Sequence, residues 1–345
     1  MSAEPHMIAP LIGHEKVLDQ FRARIASGRM ASTFLLLGPA GIGKRTFAMH
    51  LAATLLCPRH DSRALKPCGQ CESCQLFAAG NHPDFDLVEL PEGKRTLPLE
   101  LFLGDREHRN REGLCHNIAL RPLLGARRVA VIDDADWLST ESANCLLKTL
   151  EEPPPAAVIL LLGTSRSRQL PTILSRAQLV QLEPLTGPQV AQLLLTQGIV
   201  ADPEVATRLA AESHGSLSEA RDALDEPLHQ LVGDLSAQLR RGSLDVPRLA
   251  REITELANSA GTVAQARRVR LRQLVRRTSE AVRGMLRECC DAGADPELVI
   301  EVLDRCLEVE EHIDRNANQN VMVECWLDDL AGILRRGPCV PAVNA

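Results

Sequence analysis

The stretch Gly38-Pro39-Ala40-Gly41-Ile42-Gly43-Lys44-Arg45-Thr46 constrains this chain more than any other. The apolar run Phe34-Leu35-Leu36-Leu37 precedes it and Phe47-Ala48-Met49-His50-Leu51-Ala52 follows, so the expected order is strand, glycine-rich turn, helix. Such a turn lets backbone N–H groups converge on phosphate oxygens. The helix N-terminus adds positive potential, and Lys44 supplies a point charge. Gly38, Gly41, Gly43, Lys44, Arg45 and Thr46 are therefore candidate nucleotide-binding residues; the bland alternative is a turn that binds nothing. One position departs from the pattern G-x4-G-K-[S/T]. Arg45 stands where a hydroxyl would hold Mg2+. Thr46 does not substitute, because the next residue on a helix points about 100° away. ATP with Mg2+ is the candidate ligand, and metal-assisted hydrolysis is expected to be poor.

Further apolar runs at Phe85–Leu90, Arg128–Asp134, Val158–Thr164 and Leu179–Leu182 read as strands separated by helical stretches. The first helix is expected over 10–33, closed by Ser27-Gly28. Five such strands predict an α/β, doubly wound parallel sheet with ligands at the carboxyl ends of the strands. Gly38, Asp133, Asp134 and Thr164 all fall there. Asp133 would hold the metal's water shell, and Asp134 takes the place of the base that polarises water, one methylene shorter than the usual Glu. Thr164 is placed to sense a γ-phosphate. Ser139 reads as the N-cap of a helix that buries Ala143, Leu146, Leu147 and Leu150 before Pro153-Pro154-Pro155 stops it. Residues 93–126 are polar and yield no clear element. After Pro184 only amphipathic helices remain, broken at Asp202-Pro203, Gly215, Gly242 and Gly293–Pro296. The expected division is an α/β module over 1–185, a small helical domain over 186–236 and a larger one over 237–345.

Cys57, Cys68, Cys71 and Cys74 supply four soft ligands within an insertion at 57–80, and Pro67 and Gly69 permit a tight knuckle. Thiolates at this spacing suit tetrahedral Zn2+ with no open position, hence a structural role. An iron–sulfur cluster and unligated thiols are the alternatives, and His60 could displace Cys57. The eleven cysteines are an odd count, read as reduced thiols and ligands, not as a disulfide framework. No apolar run reaches a membrane span, and the start around Glu4-Pro5 lacks a signal pattern, so a cytoplasmic location is expected. With six Phe, two Trp and no Tyr, a base-stacking surface is not expected. The cluster Arg267, Arg268, Arg270, Arg272, Arg276 and Arg277 reads as a solvated or subunit-contacting face in preference to a DNA contact.

Taken in order, the phosphate loop, the four cysteines, Asp133-Asp134, the run Leu146-Leu147-Lys148-Thr149-Leu150-Glu151-Glu152-Pro153-Pro154 and Leu174-Ser175-Arg176-Ala177 resemble the bacterial clamp-loader AAA+ family. The resemblance covers the first two domains and thins after residue 240, where Asn316-Ala317-Asn318 is similar to the collar of these subunits. It implies a RecA-like AAA+ module with a zinc knuckle, a three-helix lid and an all-α collar. The implied partners are clamp-loader subunits of gamma/tau and delta type in a hetero-pentamer, a sliding clamp, and primer–template DNA reached through the complex, with no membrane. Arg176 matches the family's arginine finger, which acts in trans on a neighbour's ATP. Four departures stand out: Arg45, Asp134 in place of Glu, Ala177 in place of Cys, and Ser218 where the lid motif Gly215-Ser216-Leu217-Ser218 would place a sensor arginine, Arg221 being a turn away. Three of them weaken hydrolysis in cis while Arg176 is kept. The expectation is a subunit with little ATPase of its own; the alternative is an ATP-hydrolysing motor subunit of gamma type.

Overall fold

The computed structural model of the chain describes residues 11–339 apart from 29, 62–64, 92–93, 95, 106, 110, 262–263 and 314–317. Glu4-Pro5, Asn316-Ala317 and the end of the chain from residue 340 lie outside the described residues. Two compact units divide at Ala220 and Arg221.

The first unit opens with α1 (Glu15–Ala26), shorter than expected. Gly13 and His14 both have left-handed φ, +86° and +61°, which starts the helix late, and Ser27 caps it as foreseen. There follow β1 (Thr33–Leu37), α2 (Lys44–Leu56), α3 (Glu72–Ala78) and β2 (Phe85–Val88). Next come the short helices α4 (Glu100–Leu103) and α5 (Leu114–Asn117), then β3 (Arg128–Ile132), α6 (Thr140–Glu151), β4 (Ala157–Gly163), α7 (Pro171–Leu174) and β5 (Gln178–Gln181). Ser139 caps α6, its hydroxyl accepting from Ser142 N at 3.0 Å.

All strand pairs are parallel, in the order β2-β3-β4-β1-β5. Alternation along each strand divides two cores. Phe34, Leu36, Val129, Val131 and Leu160 face α1 and α2. Leu35, Leu37, Ala130, Ile132 and Leu161 face α6 and α7 with Phe102 and Leu114. The chain therefore leaves β1 over one face and the adjacent β4 over the other. That is a topological switch point, and it opens a crevice beside Gly38. Helices α8 (Gly187–Thr196), α9 (Pro203–Glu212) and α10 (Leu217–Asp222) follow the sheet.

The second unit is helical: α11 (Glu226–Arg241), α12 (Val246–Ser259), α13 (Ala264–Asp291), α14 (Glu297–Ile313) and α15 (Gln319–Leu334). Its core gathers Leu235, Leu239, Ile253, Leu274, Val282, Val302 and the fully buried Trp326. Asn318 caps α15, accepting from Asn320 N at 3.1 Å. The arginines of α13 have partners within the chain. Arg270 pairs with Asp225, Arg276 reaches Glu280 at 3.3 Å, and Arg267 Nε donates to the Gly261 carbonyl at 2.7 Å.

Asp225 does double duty, since it also caps α11 by accepting from Leu228 N at 3.2 Å. The hydrogen bond from Arg270 is the main cause holding its carboxyl below the usual range. Asp225→Ala should lower unfolding free energy by about 2–3 kcal/mol, from a lost cap and an unpaired guanidinium. Because the folded pKa is depressed, this stabilisation is present above the ordinary aspartate pKa and fades as pH falls through the folded value. Thermal melts of wild type and Asp225→Asn should converge in acid.

Among the described residues no helix is long and apolar enough to cross a membrane.

Candidate functional site

At the carboxyl edge of the sheet, Gly38 follows β1, and the loop turns into α2 through Gly43, whose φ is +95°. The loop is tied down through its carbonyls. Lys44 Nζ donates to the oxygens of Gly38 and Pro39, each at 2.7 Å. His14 Nε2 lies 2.9 Å from the Ile42 oxygen, and Leu217 N donates to the Gly41 oxygen at 3.0 Å. Gly41 can only be glycine: its φ is +76°, and a Cβ would lie 2.2 Å from Ser216 Oγ. Residues 215–218 thus rest directly on the glycine-rich loop, and Ser218 brings a hydroxyl there.

Arg45 lies in the first turn of α2, where a cation opposes the helix dipole. Two carboxylates compensate it. Its Nη1 donates to Asp133 Oδ2 at 3.0 Å and to Glu89 Oε1. Asp133 directly follows β3 and Glu89 directly follows β2, so Arg45 spans the ends of two adjacent strands. Thr46 is exposed. Asp134 sits in the left-handed region, φ +57°. Protein packed around it, then the charges of Asp133 and Asp136, raise its carboxyl above the usual range, although its surface stays open to solvent. Burial lowers the Lys44 pKa, opposed by Asp136, Asp133 and Asp134 in that order.

Thr164 is engaged by Asp136: its hydroxyl donates at 2.6 Å and its backbone N–H at 2.9 Å. The buried Gln169 donates to the same carboxylate. Glu89 and Asp136 were not singled out from the sequence, yet each had a signal there. Glu89 is a carboxylate at a strand end, and Asp136 closes the run Asp133-Asp134-Ala135-Asp136.

These residues do not fit Mg2+. The metal takes near-octahedral oxygen ligation, and here a guanidinium occupies the aspartate that would anchor its water shell. They do fit phosphate, through the loop's glycines and Lys44.

Arg176 lies at the opposite edge of the sheet. It precedes Gln178, where β5 begins, whereas the loop is level with the far end of β5, Leu37 pairing with Gln181. Four residues of strand, roughly 13 Å, separate the two, more than an arginine side chain spans. Its guanidinium is held by Glu151, which accepts from Nε at 2.9 Å and also from Nη2, and by Thr172 O and Ser175 Oγ at 3.1 and 3.0 Å. The side chain is 30% exposed. Glu151 belongs to the Leu-Glu-Glu-Pro-Pro run, so two segments 25 residues apart in the sequence form one device.

The cysteine insertion forms its own cluster. The Sγ atoms of Cys57, Cys68, Cys71 and Cys74 all lie within 4.8 Å of one another. Cys57 and Cys71 Sγ are 3.8 Å apart, close to the edge of about 3.8 Å that a tetrahedron of 2.3 Å Zn–S bonds requires. Backbone N–H groups of Cys68 and Cys74 point at Cys57 and Cys71 Sγ, each at 3.4 Å. The Cys68 thiol is lowered to about 6, chiefly by hydrogen bonds from the backbone N–H of Gln70 and Cys71, and burial raises Cys57 and Cys74. His60 stands outside the cluster, its Nδ1 2.8 Å from the Cys57 carbonyl oxygen. The residues fit a single tetrahedral metal.

A five-stranded parallel sheet with a glycine-rich loop at its switch point, followed by helices of which α10 touches that loop, is an AAA+ fold. Residues 13–186 match the model of the family described as DNA polymerase III, delta subunit. The chain belongs to that clamp-loader family. It is 40% identical over 187 residues to DNA polymerase III subunit delta' of Pseudomonas aeruginosa, covering 54% of this chain and 53% of that one. It is 32% identical over 239 residues to DNA polymerase III subunit tau of Escherichia coli, covering 68% and 35%. The chain thus spans about half or less of the length of these relatives. A DNA polymerase III gamma subunit-related protein from Thermotoga maritima aligns with a TM-score of 0.43 at 17% identity, over 92% of this chain and 99% of that one.

Proposed function

We propose that this chain is a delta-prime-like subunit of a DNA polymerase III clamp loader, working in the cytoplasm to help place a sliding clamp on primer–template DNA. In this reading Arg176 is an arginine finger given in trans to the ATP of a gamma/tau-type neighbour. The chain's own site contributes no turnover. The observation that carries the proposal is the separation of charges across the sheet. The carboxyl edge satisfies its own charges, Arg45 on Glu89 and Asp133, Thr164 on Asp136. Arg176, oriented by Glu151, stands half-buried at the other edge, beyond reach of its own loop and suited to another subunit's nucleotide.

The remaining assignments follow the same reading. Residues 1–185 form the AAA+ module, about 186–236 the lid, and 237–345 the collar that joins a hetero-pentamer containing delta-type and gamma/tau-type subunits. Zn2+ at Cys57, Cys68, Cys71 and Cys74 is structural. Gly38, Gly41, Gly43, Lys44, Arg45, Thr46, Asp133, Asp134 and Thr164 make up the retained nucleotide site.

The identity to tau-type relatives over 68% of the chain favours a second reading, a gamma-type ATP-hydrolysing motor. ATP turnover by the purified chain separates the two. The first reading expects a rate at background with Mg2+ present. An ordinary ATPase rate that Lys44→Ala abolishes would establish the second. A subsidiary outcome concerns Glu151. If it positions the finger, Glu151→Gln in a reconstituted loader should lower single-site kcat at the adjoining site about tenfold with KM for ATP unchanged, and Glu151→Asp should recover part of it.

A further inference from the structure

The disagreement between these residues and Mg2+ has a positive counterpart. Arg45 occupies the bridging position at the ends of β2 and β3, touching Asp133 and Glu89 through Nη1 alone. Its Nε and Nη2 donate to nothing among the described residues, and the side chain is 46% exposed. A guanidinium has five donors in a planar fork that matches phosphate oxygens two at a time. It starts from the first turn of α2, beside the backbone N–H groups of the loop and one residue from Lys44.

The neighbouring carboxylates are also arranged against a metal. Asp136 is saturated by Thr164 and Gln169, and Asp133 spends its second oxygen on Asp134 N at 3.0 Å. A permanent cation in this place does two things that Mg2+ does in other phosphate-loop sites: it joins the strand-end carboxylate to the loop, and it offers positive charge to the outer phosphates. It supplies no exchangeable water and no Lewis-acid coordination, so it serves binding without hydrolysis.

We propose that Arg45 is this site's own cation, bridging Asp133 and the phosphates of a metal-free nucleoside triphosphate in the position Mg2+ would take. The inference rests on the reading of the loop as a retained nucleotide site and adds the form of the ligand. Free triphosphate binds as well as its magnesium complex, and nucleotide here is a structural ligand that outlasts metal depletion.

The test is calorimetric titration of the full-length chain with ATP, once with Mg2+ in excess and once with EDTA. Wild type should show Kd values within threefold of each other. Arg45→Thr, with folding checked by circular dichroism, should bind at least tenfold more weakly in EDTA than in Mg2+. A wild-type Kd that weakens tenfold or more in EDTA would overturn the proposal, and so would the absence of ATP binding in either buffer. Absent binding leaves the role proposed for Arg176 standing, whereas magnesium-dependent binding accompanied by turnover would end both readings.

Discussion

Arg176→Ala in a reconstituted clamp loader should reduce clamp- and DNA-stimulated ATP hydrolysis by about 10³-fold at the site this subunit faces. That is roughly 4 kcal/mol of transition-state stabilisation, and the physical basis is charge. Negative charge develops on the transferring phosphoryl group in a site that excludes water, and a preorganised guanidinium there costs no reorganisation at the moment of reaction. Glu151 supplies the preorganisation by engaging Nε and Nη2, with Thr172 O and Ser175 Oγ on Nη1. Arg176→Lys should recover little, because an ammonium offers one point where the fork offers several donors. The variant should remain folded, since the side chain contributes nothing to either core of the sheet. Total ATPase of the assembly would fall by the share of that one site, so single-site turnover is the quantity to measure.

The second large effect concerns the cysteine cluster. Protein purified without chelator should carry one zinc per chain, and Cys71→Ser should lose it together with on the order of 5–10 kcal/mol of local folding free energy. Cys57 ends α2 and Cys71 caps α3, so the metal would close a loop between the two helices. Ser73 Oγ donates to the Leu56 oxygen at 2.9 Å, and His50 Nε2 lies 2.8 Å from the Leu65 oxygen. These bonds mean that losing the metal frays the carboxyl end of α2 while its amino end, at the phosphate loop, stays anchored by Lys44. Metal analysis and thermal melts with and without chelator read the effect. Metal-free protein with an unaltered melt would refute it.

Much of the fold was legible because local signals were strong and agreed. Continuous apolar runs between helical stretches marked all five parallel strands, and each ended within two residues of its expected limit. Ser139 announced its helix through a side chain that can accept from the first turn. The four cysteines were legible from spacing alone. What stayed hidden depends on tertiary placement. Residues 93–126 hold α4 and α5, four residues each, too short for a periodicity to register. The late start of α1 turns on left-handed φ at Gly13 and His14, which no hydrophobic pattern encodes.

The site divides in the same way. The identity of Arg45 marked the loop's missing hydroxyl, but its partner Glu89 comes from 44 residues downstream, through the strand order that sets β2 beside β3. Asp136 and Glu151 likewise act by accepting bonds from residues on other segments. Those bonds give the loop and Arg176 their separate surroundings: charges closed on one another at one edge, and a braced cation presented at the other.

The paired comparison of Arg176→Ala and Lys44→Ala, each assembled with the same partner subunits, tests this most directly. The account predicts that Arg176→Ala collapses clamp-stimulated ATP hydrolysis at the adjoining site while Lys44→Ala leaves it within about twofold of wild type. Loss of hydrolysis with Lys44→Ala and its retention with Arg176→Ala would contradict it.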